Sequence, residues 1–258
     1  MDILYIIGKG CSDCENRELR YSLRSIEKYG KNIGKVYVVG YCPEWLSDEV
    51  IKIPFEQPWQ KKKDSEMDTM DNLAKKHANL TASVLYAVDN SDIGDEFIVS
   101  MDDHIYIRNV DFDNYPFYCT NTNGDLNLPK DSNRQWQKLL AATRKMLEQE
   151  NLSIYRCVLH RNMHLSRKSI EECRTKLEDI VKNPIPFEPF AYLINYRYTK
   201  DKDFEFTSTK DLKIGRVGEW YKVNPETTEV FSTYNFKKGT ALDLLIKLMF
   251  KHKSKYEK

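Results

Sequence analysis

Residues 97 to 107 read Phe97-Ile98-Val99-Ser100-Met101-Asp102-Asp103-His104-Ile105-Tyr106-Ile107, and this stretch decides the fold. Its apolar first part is long enough for one buried strand and ends on two adjacent carboxylates. Two unshielded carboxylates repel each other, so a strand end that carries them usually has a cation to offset their charge. Ligands of open α/β sheets lie at that end of the strands, and carboxylate oxygens suit Mg²⁺ or Mn²⁺. The stretch therefore predicts a metal-bound phosphate group, with a polar β-turn and a solvated Asp pair as the alternative.

Length and composition indicate a globular protein. The chain has 258 residues, enough for one large α/β domain, and its 41% hydrophobic and 31% charged residues exclude a disordered chain. Forty basic and 39 acidic side chains give a formal net charge of +1, so no global field favours nucleic acid. Two local basic patches remain candidates: Lys61–Lys63, and a C-terminal tail with Lys247, Lys251, His252, Lys253, Lys255 and Lys258.

The cysteine content and the N-terminal sequence indicate which cellular compartment to expect. No apolar run reaches the length of a membrane span, and Met1 to Gly8 reads as a first strand instead of a signal peptide. Six cysteines are too few for a disulfide scaffold, so the simplest interpretation is reduced thiols in a cytoplasmic protein. Cys11 and Cys14 have redox or zinc spacing, but no second pair completes a four-ligand site, and we interpret them as ordinary thiols in a loop.

Strand and helix patterns alternate through the first hundred residues. Strands are predicted over 2–8, 36–39, 49–53 and 97–100, with one helix ending at Gly30 and another over 70–88. This β-α-β order predicts a parallel sheet with right-handed crossovers. In the second half, helices are predicted over 135–149, 166–181 and 240–250, and a strand over 154–159 that ends at His160. The stretch 191–198 is a strand or a buried helix, and no linker indicates a second domain.

The start of the first predicted helix is a candidate anion site. Asn16, Arg17 and Arg20 lie there, beside the carboxyl end of the first strand. A helix N-terminus favours negative charge, so these side chains could contact a base or a diphosphate. The alternative is a solvated helix face.

Two blocks of the chain resemble a known family. The segment 16–29, followed by 33–39, resembles the first conserved block of the Stealth capsular polysaccharide phosphotransferases. The segment 95–104 is similar to their later strand-plus-carboxylate block, and the same pieces resemble GT-A-type glycosyltransferases, including phage-encoded ones. The resemblance covers roughly residues 2–108. It implies an α/β, Rossmann-like GT-A fold with a mostly parallel central sheet, helices on both faces and a mixed α+β C-terminal part.

The resemblance also implies roles for single residues. In the GT-A element called DxD, Met101 stands where the first Asp usually is, Asp103 would be the metal ligand, and Asp102 would face the nucleotide or the sugar. Lys76 and Asn79 lie on the helix before the Asp-bearing strand, where sugar transferases often place a basic residue and an Asn against the donor. A solvated helix face is the alternative for both.

Residues near the later strand complete the candidate site. His160 belongs to Leu159-His160-Arg161-Asn162-Met163, which is similar to a His-x-x-Met stretch of such transferases, and would complete the metal site or face the acceptor. The alternative is an ordinary histidine at a strand end. His104 follows the Asp pair directly and points to the opposite side if the strand continues. Asp125, in a polar loop over 109–131, and Asp211 are candidate bases for an acceptor hydroxyl.

These features together predict one GT-A-like domain over 1–258, with a nucleotide-sugar-binding half over 1–108 and an acceptor-binding half over 109–258. The expected activity is Mn²⁺- or Mg²⁺-dependent transfer of a sugar from a nucleotide sugar, favoured as UDP-linked, to a hydroxyl of a glycan, a small molecule or modified nucleic acid. One alternative is a Stealth-like sugar-phosphate transferase. It is disfavoured because Gly8-Lys9-Gly10 stands where the Stealth Asp-Gly-Ser motif would be. The other is a non-catalytic nucleotide-sugar-binding or glycan-binding protein of the same fold.

Overall fold

The computed structural model describes residues 1–8, 16–59, 69–122, 134–210, 212–234 and 236–258. The predictions made for Cys11, Cys14, Lys61–Lys63, Asp125 and Asp211 fall outside these ranges.

The strands and helices follow the predicted alternation closely in the first half. In chain order, the strands are β1 (Asp2–Ile7), β2 (Gly30–Lys31), β3 (Val36–Gly40), β4 (Val50–Pro54), β5 (Glu96–Ser100), β6 (His104–Tyr106), β7 (Val110–Asp111), β8 (Phe117–Cys119), β9 (Met163–Ser166), β10 (Phe206–Ser208), β11 (Lys213–Ile214) and β12 (Val230–Thr233). The helices are α1 (Arg17–Tyr29), α2 (Met70–Asp89), α3 (Gln135–Gln149), α4 (Arg167–Glu172), α5 (Arg174–Lys182), α6 (Pro189–Lys200) and α7 (Ala241–Met249), with a 3-10 helix at Val217–Lys222.

The central sheet has the spatial order β4-β3-β1-β5-β9. Its first four strands are parallel, and β9 joins the edge antiparallel to β5. Alternate residues of β1 point to opposite faces. Leu4 and Ile6 pack into a core with α2, α5 and α6, whereas Ile3 and Tyr5 pack into a second core with α1. The predicted mostly parallel sheet with helices on both faces is confirmed.

A smaller sheet, β11-β12-β6, continues from the end of β5. Strand β6 pairs antiparallel with β12, so His104 lies opposite Ser232, and β12 pairs parallel with β11, so Ser232 lies opposite Lys213. The far side of this sheet packs against α7 and the 3-10 helix through a third apolar cluster that includes Ile105 and Phe231. Together with α6 and β8 to β10, these elements form the mixed α+β part expected of the C-terminal half.

The predicted strand at 154–159 is wrong. These residues form no regular secondary structure and join no sheet ladder, and a side chain of α6 pairs with their backbone instead. The Asn195 carbonyl accepts from the Tyr155 N–H at 2.7 Å, and its amide donates to the Tyr155 carbonyl at 2.9 Å. The real strand, β9, begins at Met163, so His160 precedes a strand instead of ending one.

The single helix predicted over 166–181 is two helices, α4 and α5, separated at Cys173. Ser166 does cap the first of them, since its hydroxyl accepts from the Ser169 N–H. The stretch left open as strand or buried helix is α6, with Pro189 at its start and most of its residues buried. None of the helices in the described ranges combines the length and apolar content needed to cross a bilayer.

Candidate active site

The Asp pair lies in a tight turn between the central sheet and the smaller sheet. Strand β5 ends at the fully buried Ser100, and the His104 N–H donates back to the Met101 carbonyl at 3.3 Å. The Thr233 N–H donates to the Asp103 carbonyl at 3.0 Å, which fixes the turn to β12. The backbone is therefore the β-turn that we gave as the alternative. The turn sits at the carboxyl end of β5, where the sheet topology concentrates ligand sites.

Asp103 is not a solvated surface acid. Its side chain is only 26% exposed. Burial raises its pKa to about 6, against the opposing effect of the nearby Lys213 and Lys76 ammonium groups. A carboxylate with a raised pKa beside two cations is stabilised in its charged form mainly by those cations. Asp103 thus lies within electrostatic reach of two lysines, one on α2 and one on β11.

His104 and Asn162 support this turn through buried side-chain contacts. Because β9 runs antiparallel to β5, the residues just before β9 lie at the carboxyl end of β5. The Asn162 amide oxygen lies 2.8 Å from His104 Nδ1 and 3.2 Å from the Ser100 hydroxyl, and all three side chains are buried. His104 Nε2 lies 3.8 Å from Asp103 Oδ1. The chain turns at residues 101–103, so the condition under which His104 would point to the opposite side, a continuing strand, is not met.

His160 is held neutral. Burial lowers its pKa to about 3, and the positive charges of Lys213 and Lys76, with His104 and Arg156, act in the same direction. The same two lysines act on Asp103, so the predicted residues His160, Lys76 and Asp103 share one electrostatic environment. A neutral imidazole can accept a proton or coordinate through a ring nitrogen. Its role as a metal ligand or acceptor-side group stays a prediction.

The position of Lys213 near the Asp103 turn could not be predicted from the sequence. No sequence pattern marks this residue, yet it lies on β11 in register with Ser232 and, through β12, with His104. Residues directly opposite each other across strands share a sheet face. The buried Ser232 hydroxyl on that face has no hydrogen-bond partner within the described ranges. Strands of two to four residues carry too little periodicity for this register to be read from sequence.

Asn79 and Lys76 have different surroundings although both lie on α2. Asn79 is buried, and its side chain accepts from the Trp59 N–H at 2.9 Å and donates to the Trp59 carbonyl at 2.7 Å. It therefore anchors the chain where it leaves the short segment after β4. Lys76 acts electrostatically on the Asp103 turn. Of this predicted pair, the lysine is the one whose charge reaches the site.

The start of α1 is tied to the C-terminal part of the chain. Asn16 is buried and takes a left-handed backbone conformation with a φ of 54° at the helix cap. Arg17 pairs with the buried Asp243 at 2.8 Å, and Arg20 pairs with the buried Glu257 at 3.0 Å. Both guanidinium groups thus already face a carboxylate. A contact of Asn16, Arg17 or Arg20 with a donor stays a prediction.

Asp102 contributes negative charge close to Tyr5, whose pKa is raised to about 12, chiefly by burial and in smaller part by that charge. Within the described ranges, no three His, Cys, Asp or Glu side chains are grouped so as to hold a metal ion. Asp102, Asp103 and His160 therefore do not by themselves fit a complete metal site. The lysines, in contrast, supply positive charge at the same place.

Neither the protein-family models nor the curated proteins contain a match to this chain. Among solved structures, the chain is similar to an active-site mutant of LgtC, with a TM-score of 0.47 and 10% identity, covering 99% of this chain and 98% of that one. It is also similar to mouse xyloside xylosyltransferase 1 in its apo form, with a TM-score of 0.37 and 11% identity, covering 86% and 90%. At these TM-scores and identities the likenesses carry no conclusion on activity.

Proposed function

We propose that this protein is a glycosyltransferase that takes a sugar from a nucleotide sugar, preferentially a UDP-sugar, and passes it to a hydroxyl group. The observation that carries the proposal is the Asp103 turn at the carboxyl end of β5, with Lys76 and Lys213 close enough to act on its pKa. Two cations and an acid at this edge of a parallel sheet suit a bound diphosphate. The family resemblance of the segments 16–39 and 95–104 supports the same class.

The first requirement of this reaction is that the negative charge of the leaving diphosphate is neutralised. In glycosyl transfer, the acceptor oxygen bonds to the anomeric carbon while the bond from that carbon to the diphosphate oxygen breaks. The diphosphate leaves with the electron pair, and Lys76 and Lys213 would offset its developing negative charge. Asp102 and Asp103 would orient the donor by accepting hydrogen bonds from its hydroxyl groups. The neutral His160 would position the acceptor hydroxyl by accepting its hydrogen bond, and the proton that this hydroxyl loses would pass to solvent.

Dependence on Mn²⁺ or Mg²⁺ is the finer part of this proposal. When bound, such a cation would screen the diphosphate charge. Asp103 and His160 are its proposed ligands, although no three His, Cys, Asp or Glu side chains of the described residues are grouped so as to hold a metal ion. Donor turnover measured with Mn²⁺, with Mg²⁺ and with a chelator separates a metal-dependent enzyme from one in which the lysines suffice. Unchanged turnover in the chelator would remove the metal from the proposal.

Donor hydrolysis across a panel of nucleotide sugars is the direct test. We expect Asp103→Ala to abolish it while the far-ultraviolet circular dichroism stays unchanged. Asp48→Ala, at a fully exposed acid two residues before β4, is the matched control and should leave hydrolysis intact. Full activity of the Asp103 variant would overturn the site assignment.

The mass of the transferred group distinguishes the proposed reaction from its nearest alternative. A Stealth-like enzyme would move a sugar phosphate, so its product would be heavier by one phosphate group than the product of sugar transfer. Metal-dependent or metal-independent UDP binding with no turnover on any donor would identify a binding protein. The acceptor (a glycan, a small molecule or modified nucleic acid) and the cytoplasmic location remain parts of the proposal for which product analysis and cell fractionation are the tests.

A further inference from the structure

The C-terminal helix α7 has two apolar faces, and only one of them is covered. Leu242 and Ile246 are buried in the core beneath the smaller sheet. On the opposite side, Leu244 and Leu248 stand one turn apart with 53% and 62% of their surface exposed. Leucines at this spacing form a continuous stripe along the helix. An exposed stripe of this kind marks a surface that contacts something apolar.

The neighbouring 3-10 helix, Val217–Lys222, adds to this stripe. It packs against α7, and its Tyr221 is 82% exposed, the largest exposure of any large hydrophobic side chain in the described ranges. Val217 on the same short helix is exposed as well. We call the surface formed by Val217, Tyr221, Leu244 and Leu248 the α7 face. It combines three aliphatic side chains with one aromatic ring that carries a hydroxyl group.

The α7 face cannot turn inward, because the other side of α7 is fixed by an ion pair. Asp243 is buried, pairs with Arg17 of α1 at 2.8 Å, and accepts from the Gly239 N–H at the same distance. The Thr240 hydroxyl caps the helix by accepting from the Asp243 N–H. These contacts hold Leu242 and Ile246 in the core and present Leu244 and Leu248 to solvent.

The exposed charged side chains of the C-terminal segment that carries α7 are all basic. Residues 236–258, every one of which the structure describes, contain seven exposed lysines: Lys237, Lys238, Lys247, Lys251, Lys253, Lys255 and Lys258. The two acids of this segment, Asp243 and Glu257, are buried and paired with arginines of α1. Lys247 lies on α7 next to Leu248, and Lys237, Lys238 and Lys251 lie shortly before and after the helix. The exposed carboxylates that would compensate these cations are missing from the segment.

We propose that the α7 face docks the protein on an anionic lipid bilayer. Leucines inserted at the acyl boundary and lysines at the level of acidic headgroups are the two contributions that hold an interfacial helix. A second copy of this chain is a poor occupant, because two such surfaces would bring their lysines together. Nucleic acid would meet the lysines but leave the leucines without a partner, since phosphates and base edges do not cover aliphatic side chains. The inference does not rest on the proposed transferase activity.

Vesicle sedimentation with the full-length protein tests this docking. We expect the protein to pellet with phosphatidylcholine vesicles that contain phosphatidylglycerol, and to stay in solution with phosphatidylcholine alone. Leu244→Ser combined with Leu248→Ser should lower binding by about tenfold or more, because both anchors are lost. Ile185→Ser, which removes a hydrophobic side chain exposed to 39% elsewhere, is the matched control.

The contribution of the lysines to vesicle binding is tested with a separate pair of variants. Lys247→Glu combined with Lys251→Glu should abolish binding to the anionic vesicles. High salt should likewise weaken binding of the wild-type protein to these vesicles. Lys138→Glu with Lys145→Glu makes the same charge change at two exposed positions of α3 and should bind normally.

Equal binding to both vesicle types, or no loss in the leucine variant, would overturn the proposal. So would a wild-type dimer in sedimentation equilibrium that the leucine variant breaks, because the face would then belong to a second copy. DNA binding unaffected by the leucine changes, in a protein that ignores vesicles, would likewise assign the lysines to nucleic acid.

Discussion

At the scale of single residues, the buried Asp103 carboxylate lowers the stability of the fold, and its position in the candidate site explains why it is present. Its pKa is raised from 3.8 to about 6 by burial, so at neutral pH the fold holds an ionised carboxylate that it would hold more easily protonated. By linkage, the stability that this group contributes is complete below its unfolded pKa and is lost as the pH rises through 6. Such a destabilising charge is retained where it serves a ligand.

Removing this charge should therefore stabilise the protein. We expect Asp103→Asn to raise the free energy of unfolding by about 1 to 3 kcal/mol at about pH 7.5, and to change it little at about pH 4.5, where the native carboxyl is already protonated. Urea denaturation at the two pH values measures the difference. Asp48→Asn is the control, since that side chain is fully exposed. An Asp103 variant less stable than the wild type at the higher pH would contradict the pKa direction.

At the scale of elements, the C-terminal segment is locked onto α1 by one buried carboxylate. Arg24 approaches Glu257 with two nitrogens at 2.6 and 2.7 Å, and Arg20 adds a third at 3.0 Å. Burial alone would raise the pKa of Glu257, but hydrogen bonds from Arg24 and from the Ser254 backbone hold it below its usual value. The stability from this group is present above the unfolded pKa and is lost as the pH falls through the folded one, the reverse of Asp103.

Neutralising Glu257 should accordingly destabilise the protein. We expect Glu257→Gln to lower the free energy of unfolding by about 2 to 4 kcal/mol near neutral pH, because two arginines lose their partner, and by less in acid. Thermal denaturation followed by circular dichroism measures this, with Glu226→Gln at an exposed turn as control. Equal melting temperatures for the two variants would show that the segment is held by its other contacts.

The element scale also shows what sequence patterns could and could not predict. Long periodic segments such as α2 and α3, and the apolar runs of β1 and β5, matched their predicted types within two residues at each end. The run at 154–159 was wrong because Asn195, forty residues later, satisfies the Tyr155 backbone in place of a strand. The Asp pair and His160 could be picked from sequence as candidates. The environment they share with Lys213 could not, because it depends on the register of three very short strands.

The two hydrogen bonds of Asn195 give a second prediction at this scale. The side chain is fully buried and makes both hydrogen bonds to Tyr155, so Asn195→Leu should leave a backbone donor and acceptor unpaired. We expect a loss of about 2 to 4 kcal/mol in the free energy of unfolding. Hydrogen exchange of the Tyr155 amide should also rise by more than that of β1. Ser208→Ala, at an exposed hydroxyl on β10, is the comparison.

At the scale of the whole molecule, the candidate site joins parts of the chain that fold into different sheets. Lys76 comes from a helix covering the central sheet, Asp103 from the turn that leaves it, His160 from the approach to its antiparallel edge, and Lys213 from the smaller sheet. A ligand that engages all of them binds only the assembled protein. By mass action, such a ligand stabilises the whole fold, so the melting temperature reports on occupancy of the site without requiring turnover.

UDP should thus raise the melting temperature. At a concentration about 100 times its Kd, the gain is about 2.7 kcal/mol, which corresponds to roughly 5 to 10 °C for a chain of this size. Uridine, which lacks the diphosphate, should give a much smaller shift. Lys213→Ala should reduce the UDP shift to that of uridine, because the ammonium that faces the Asp103 turn is gone, whereas Lys210→Ala, at an exposed position on the same segment, should keep it. A UDP shift that survives in the Lys213 variant would place the diphosphate elsewhere, and no shift in the wild type would remove the nucleotide from the proposed function altogether.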